Sequence, residues 1–159
     1  MRKACQWGLL VALAAGSAAI AESFDAGGVA SGTTEVTPMP LEEGRMVMAL
    51  TTTYDSMMGN DDSNPLAGMR GECTGSALQD GEALEGSGFC VFKGDGADAA
   101  LVRWTATGRD SAGAMTGDWE LRGGTGRFED GSGGGTFSSV VDPETGAAEN
   151  TIAGNIDLP

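Results

Sequence analysis

The chain contains no histidine, one tyrosine, few basic residues and, beyond residue 21, no long apolar run. Each gap excludes a class of function. Without histidine there is no Ser-His-Asp or Cys-His machinery, and a two-cysteine metal site has no imidazole to complete it. Nine lysines and arginines against 23 acids leave a net charge of −14, so nucleic acid and anionic membrane surfaces would repel the chain. With one apolar run, at the very start, nothing further along can span a bilayer as a helix.

That run belongs to "MRKACQWGLLVALAAGSAAIAESF". Arg2 and Lys3 precede a short apolar core, and Ala19-Ile20-Ala21 has the small-x-small form of a cleavage site. Residues 1–21 are therefore expected to be a secretory signal peptide, with residues 22–159 forming one domain in the periplasm or outside the cell. Losing Arg2 and Lys3 would leave seven basic residues against 23 acids, a charge of −16, which serves solubility. Cys73 and Cys90 would then be the two remaining cysteines. They lack the C-x-x-C spacing of a redox pair, and in an oxidising compartment an isolated pair is expected to form a disulfide.

What the chain has in quantity is glycine, with 27 residues, between short apolar-alternating segments. "RMVMALTTTY" (45–54), "DAALVRWTATG" (98–108), "MTGDWELRGG" (115–124), "GGTFSSVVD" (134–142) and "NTIAGNIDLP" (150–159) read as strands separated by turn signals. "VASGTTEVTPMP" reads as an earlier strand, "GNDDSNPLAG" (59–68) as a loop, and the two cysteine-bearing segments flank a turn at Gly81. No segment sustains a helical period, so the domain is expected to be all-β, closed into a barrel that removes its exposed edges. Period-two alternation places Val102, Trp104 and Ala106 on one face, with Trp119 and Leu121, Phe137 and Val141, and Met48, Leu50 and Tyr54 as the inward sets of other strands. Arg103, Glu120 and Arg122 then point outward.

The stretch "GDWELRGGTGRFEDGSGGG" (117–135) needs its own account. It fails as a dinucleotide fingerprint because residue 129 is glutamate and no helix follows, and as a P-loop because Arg127-Phe128 follows Gly126. Glu129, Asp130 and Ser132 do not fall at EF-hand positions, and "GDGAD" (94–98) and "NDD" (60–62) are no better as calcium loops. The reading left is geometric. Gly124 and Gly126 let strands turn and bulge, and Phe128 is an apolar plug between them.

"W-E-L-R-G-G-T-G-R-F", followed by "D-G-S-G-G-G-T-F", resembles the signature of allene oxide cyclase barrel-like and dirigent-like proteins. In that group W-x-x-x-G-G-T-G-x-[FY] precedes a Gly-x-Gly strand. "DDSNPLAGMRGECTGSALQDGEALEGSGFCVFKGDGAD" and the later "RW" are similar to the small exported bacterial members, and the likeness covers roughly residues 30–140. The resemblance implies an eight-stranded antiparallel barrel with an apolar interior, assembled as trimers in the plant relatives. Those relatives guide ring closure or radical coupling with a few polar groups inside the barrel. None of those groups falls on a matching position here, so none is carried over.

Three functions fit these observations. The first is a barrel that binds a small apolar or amphipathic molecule against Trp104, Trp119, Tyr54, Leu121, Val102, Phe137, Met48 and Leu50. The second is a cofactor-independent cyclase or isomerase, in which an apolar mould steers a reactive substrate by shape. The third is an interaction protein with a filled barrel, since a narrow eight-stranded barrel can be packed solid. No cofactor or metal is called for. Among the acids, Glu72 with Glu120 is one pairing that carboxylate chemistry could use, although a solvated surface is the simpler expectation.

Overall fold

The computed structural model describes residues 21–159, so the segment read as a signal peptide lies, but for Ala21, outside the described residues. Nine strands form one antiparallel sheet: β1 (Glu22–Asp25), β2 (Gly28–Pro40), β3 (Met46–Gly59), β4 (Arg70–Asp80), β5 (Ala83–Lys93), β6 (Ala99–Arg109), β7 (Met115–Thr125), β8 (Ser132–Val141) and β9 (Ala147–Leu158). Strands β2 to β8 follow one another as neighbours, and β9 pairs with both β8 and β2. The result is a closed eight-stranded barrel of up-and-down meander type. No helix among the described residues is long and apolar enough to cross a membrane.

The expected strands are present, with three refinements. Strand β1 is additional: it pairs with β9 at Asp25↔Asn155, beyond the point where β2 begins at Gly28↔Ile152. Strand β3 runs on to Gly59, past a bulge that sets Ser31 opposite Ser56 and Gly32 opposite Tyr54. The extra residue, Asp55, reverses the alternation, so both Tyr54 and Met57 face inward and are buried. Thirdly, β2 pairs with β9 only as far as Thr33, leaving β3 as the sole strand partner of Thr34–Pro40 among the described residues. Pro38 and Pro40 lie in that half-paired segment, where a missing N–H discourages a further strand from adding.

The two ends of the barrel differ. At the end where β3, β7 and β9 finish, the interior is filled by Phe128, Met57, Leu66, Met69, Ile156 and Pro65, the largest fully buried side chains. The connections supply much of this seal: Pro65, Leu66 and Met69 from the β3–β4 loop, and Phe128 from a 3-10 turn at Gly126–Phe128. Arg127 ties the seal together. It donates to the Pro65 carbonyl at 2.6 Å, pairs with Asp98 at 3.2 Å, and lies 5.1 Å from the centre of the Phe128 ring.

The glycine-rich stretch is thus strand, turn and strand, as its composition suggests. Gly126 sits at φ +60°, where a Cβ would also run into Asp98. Gly124 is different. Its φ is not in the left-handed region, and what it supplies is close approach, because a Cβ there would come within 2.8 Å of the Phe128 Cβ.

Candidate functional site

At the opposite end the barrel is hollow. A cavity of about 630 Å³ reaches from Leu66, on the seal, to the exposed turns at Ala112–Gly113 and Asp142–Pro143. The barrel is therefore half filled and half open, which the alternation of residues could not reveal.

Trp104 and Trp119 are direct cross-strand neighbours on β6 and β7, and both are buried. Their side chains run in opposite directions. Trp104 lies over β5 and β4: a Cβ on Gly88 would come within 2.6 Å of its Cζ2, and one on Gly75 would be closer still. Trp119 reaches across β8, where its partner is Gly135, to donate its indole N–H to Ala153 on β9 at 3.1 Å. Gly75 and Gly88 thus leave room for the Trp104 ring to lie along the wall instead of filling the lumen, and the bond to Ala153 draws the Trp119 ring across β8. Phe137 meets the Trp104 ring edge-on at 6.4 Å, and Tyr54 stacks on Phe92 at 6.2 Å.

Of the eight residues expected inside, Met48, Leu50, Tyr54, Val102, Trp104, Trp119 and Phe137 line the cavity. Leu121 faces inward but does not reach it. It packs deeper, where its Cδ2 would lie 3.0 Å from a Cβ on Gly131, against the seal. Cys73 and Cys90 are opposed on β4 and β5 with sulfurs 1.96 Å apart, and this disulfide forms part of the cavity wall. Glu72 and Glu120 are not brought together. They lie on β4 and β7, with β5 and β6 between, and each meets a cation of its own: Lys93 at 3.8 Å and Arg122 at 2.8 Å.

Tyr54 was expected inside, but the polar groups around it were not. Thr34, Thr52, Ser139 and Asn150 line the cavity with it, and all five come from the adjacent strands β8, β9, β2 and β3. The aromatic and disulfide wall comes mainly from β4 to β7. Thr34 and Thr52 hydroxyls bond each other at 2.8 Å. Burial raises the Tyr54 pKa to about 12, against the opposing effect of side-chain hydrogen bonds from Ser139 and Asn150. The phenol is therefore neutral at any physiological pH. The signal for Ser139 and Asn150 was available: each stands two residues from an inward apolar side chain, Phe137 and Ile152.

Charge is confined to the rim. Arg109 is the one cation among the lining residues, and it donates to the Gly113 carbonyl at 2.9 Å. Asp142 accepts the Glu144 and Thr145 amides at 2.8 and 3.1 Å, bonds that hold its carboxyl below the usual range. Two of the three acidic segments weighed as calcium sites engage the protein's own donors, Asp61 with Ser63 and Asp98 with Arg127. Among the described residues no cluster of three or more cysteines and acids is placed to hold a metal ion. No family model, curated protein or solved structure matches this chain.

Proposed function

We propose that this protein is an exported barrel that takes a small apolar or amphipathic molecule into the open half of its lumen. One observation carries the reading: a cavity of about 630 Å³, closed below and open above, walled in part by Trp104 and Trp119. That volume lies in the usual range for small-molecule sites, and so does the mixture of an apolar wall with a few convergent polar groups. The disulfide is compatible with an oxidising compartment. The barrel is also the fold that the resemblance to allene oxide cyclase barrel-like and dirigent-like proteins implies; trimeric assembly, implied in the same way, belongs to the proposal and is read by sedimentation.

Ring closure steered by shape is the second reading, favoured by the Tyr54, Ser139 and Asn150 group inside an otherwise apolar mould. Binding ranks first because Tyr54 is, among the described residues, the only titratable side chain deep in the lumen, and burial keeps it protonated. The test is mass spectrometry under native conditions on gently purified protein, with titration by an environment-sensitive apolar dye read through tryptophan fluorescence. Retained small molecule or saturable dye binding is expected. Neither, up to the solubility limit of the dye, would overturn the proposal and turn attention to the barrel exterior.

A further inference from the structure

Sulfur is sorted by depth in this barrel. Cys73 and Cys90 are joined to each other, so among the described residues no free thiol stands ahead of methionine to meet an oxidant. Met57 and Met69 are held in the seal, 2% and 1% exposed. Met39 and Met58 are exposed, at 46% and 69%, and neither lines the cavity. Met46 is half-buried and is not part of the lining either. Met48 and Met115 differ from all of these, because each is half-buried and each lines the cavity in its open half. Met115 is the first residue of β7, opposite Arg109 at the rim, and Met48 is the third of β3, opposite Pro38.

We propose that Met48 and Met115 are a site of oxidative modification, and that their conversion to sulfoxides by hydrogen peroxide closes the lumen to apolar molecules while the barrel stays folded. The proposal rests on the binding function above and names how that function is regulated. The step is a two-electron oxygen transfer. The sulfur lone pair takes one oxygen from the peroxide, and the O–O bond breaks. The proton of the transferred oxygen goes to the departing hydroxide, giving water, so sulfur is oxidised and peroxide reduced. Each product side chain is a strong acceptor where a soft apolar group stood. In the empty lumen water can cover that oxygen, but an apolar guest strips the water and returns nothing. The floor is spared, because the methionines that pack it are shut away from the oxidant.

The protein is treated with graded hydrogen peroxide and divided between three measurements. Peptide mass spectrometry reads which methionines have gained oxygen, the emission of the apolar dye reads its affinity, and far-ultraviolet circular dichroism reads the fold. Met48 and Met115 are expected to be oxidised well before Met57 and Met69. Dye affinity should fall roughly tenfold as they are, with the dichroism unchanged. Whatever its starting affinity, the double variant Met48→Leu with Met115→Leu should keep that affinity through the same treatment. Met39→Leu with Met58→Leu should lose it as the unaltered protein does. If the first double variant does not fold, either of its single exchanges should lessen the loss.

Unchanged dye affinity with both lumen methionines present as sulfoxides would overturn the proposal while leaving binding intact. So would a loss of affinity that persists in the leucine variants, or oxidation of Met57 and Met69 in step with the lumen pair and with loss of the dichroism signal. Failure of the dye to bind the untreated protein would instead remove the binding function, and this proposal with it.

Discussion

Phe128 gives the sharpest test of how the barrel is closed. Its side chain is fully buried, on a turn rather than a strand, with Gly124 against its Cβ and Arg127 over its ring. Phe128→Ala removes the ring from the centre of the seal. The backbone around it is constrained by two 3-10 turn hydrogen bonds, Glu129 to Gly126 at 3.2 Å and Gly131 to Phe128 at 3.1 Å, so little collapse into the space is available. A buried phenylalanine truncated in such a setting costs about 3–5 kcal/mol, a large part of the roughly 5–15 kcal/mol that holds an ordinary domain together. Phe128→Leu, which keeps most of the apolar volume, should cost about 1–1.5 kcal/mol. Urea unfolding followed by tryptophan fluorescence and far-ultraviolet circular dichroism measures both. The alanine variant should also regain stability in saturating benzene, because a dry apolar hole takes up a small apolar guest. A loss below about 1 kcal/mol for alanine would refute the reasoning, since a ring that costs so little to remove does not hold the seal.

Three other outcomes follow from the same geometry. Trp104→Ala should weaken binding of the apolar dye by about 1–3 kcal/mol, whereas Arg103→Ala, one residue away on the outer face, should leave it unchanged; the opposite result would mean that the inward register of β6 is wrong. Denatured, unreduced protein should show no free thiol at Cys73 or Cys90, and reduction should lower stability by about 3 kcal/mol for a loop closed over 17 residues. Tyr54 favours folding through its neutral form: with its folded pKa raised to about 12 from the ordinary 10.0, its contribution is intact below pH 10 and lost as pH rises towards 12. Absorbance of the phenolate should show this late titration, and Tyr54→Phe should remove its part of the alkaline loss of stability.

Much of the barrel can be read from residue spacing, and the parts that cannot have physical reasons. Val102, Trp104 and Ala106 against Arg103 and Thr105 is an alternation that fixes a face, because only one side of a barrel wall is dry. Strand β1 gives no such signal: Glu22–Asp25 is short and mostly exposed, and it forms only because β9 outlasts β2. Alternation also fails across Asp55, where a single extra residue moves Met57 to the inside. Face, moreover, is not depth. Leu121 and Trp119 share a face, yet one meets the seal and the other the cavity, because the division is made by loop residues such as Leu66 and Phe128 that belong to no period. The polar lining went unread for a different reason. Ser139 and Asn150 are of residue types normally given to solvent, and only the parity of Phe137 and Ile152 marks them as interior.

A tube with a floor has consequences for traffic. Whatever enters must push water out past itself through the opening by which it came, and whatever leaves must let water back along the same path. Two turns frame that opening, and each is stapled by an aspartate: Asp110 accepts the amides of Ala112 and Ala114, and Asp142 those of Glu144 and Thr145. If the lumen takes a guest as proposed, a frame braced in this way makes dehydration at the aperture the step that governs exchange. Changes at the frame should therefore speed or slow arrival and departure together. Changes at Trp104 should act on residence time alone.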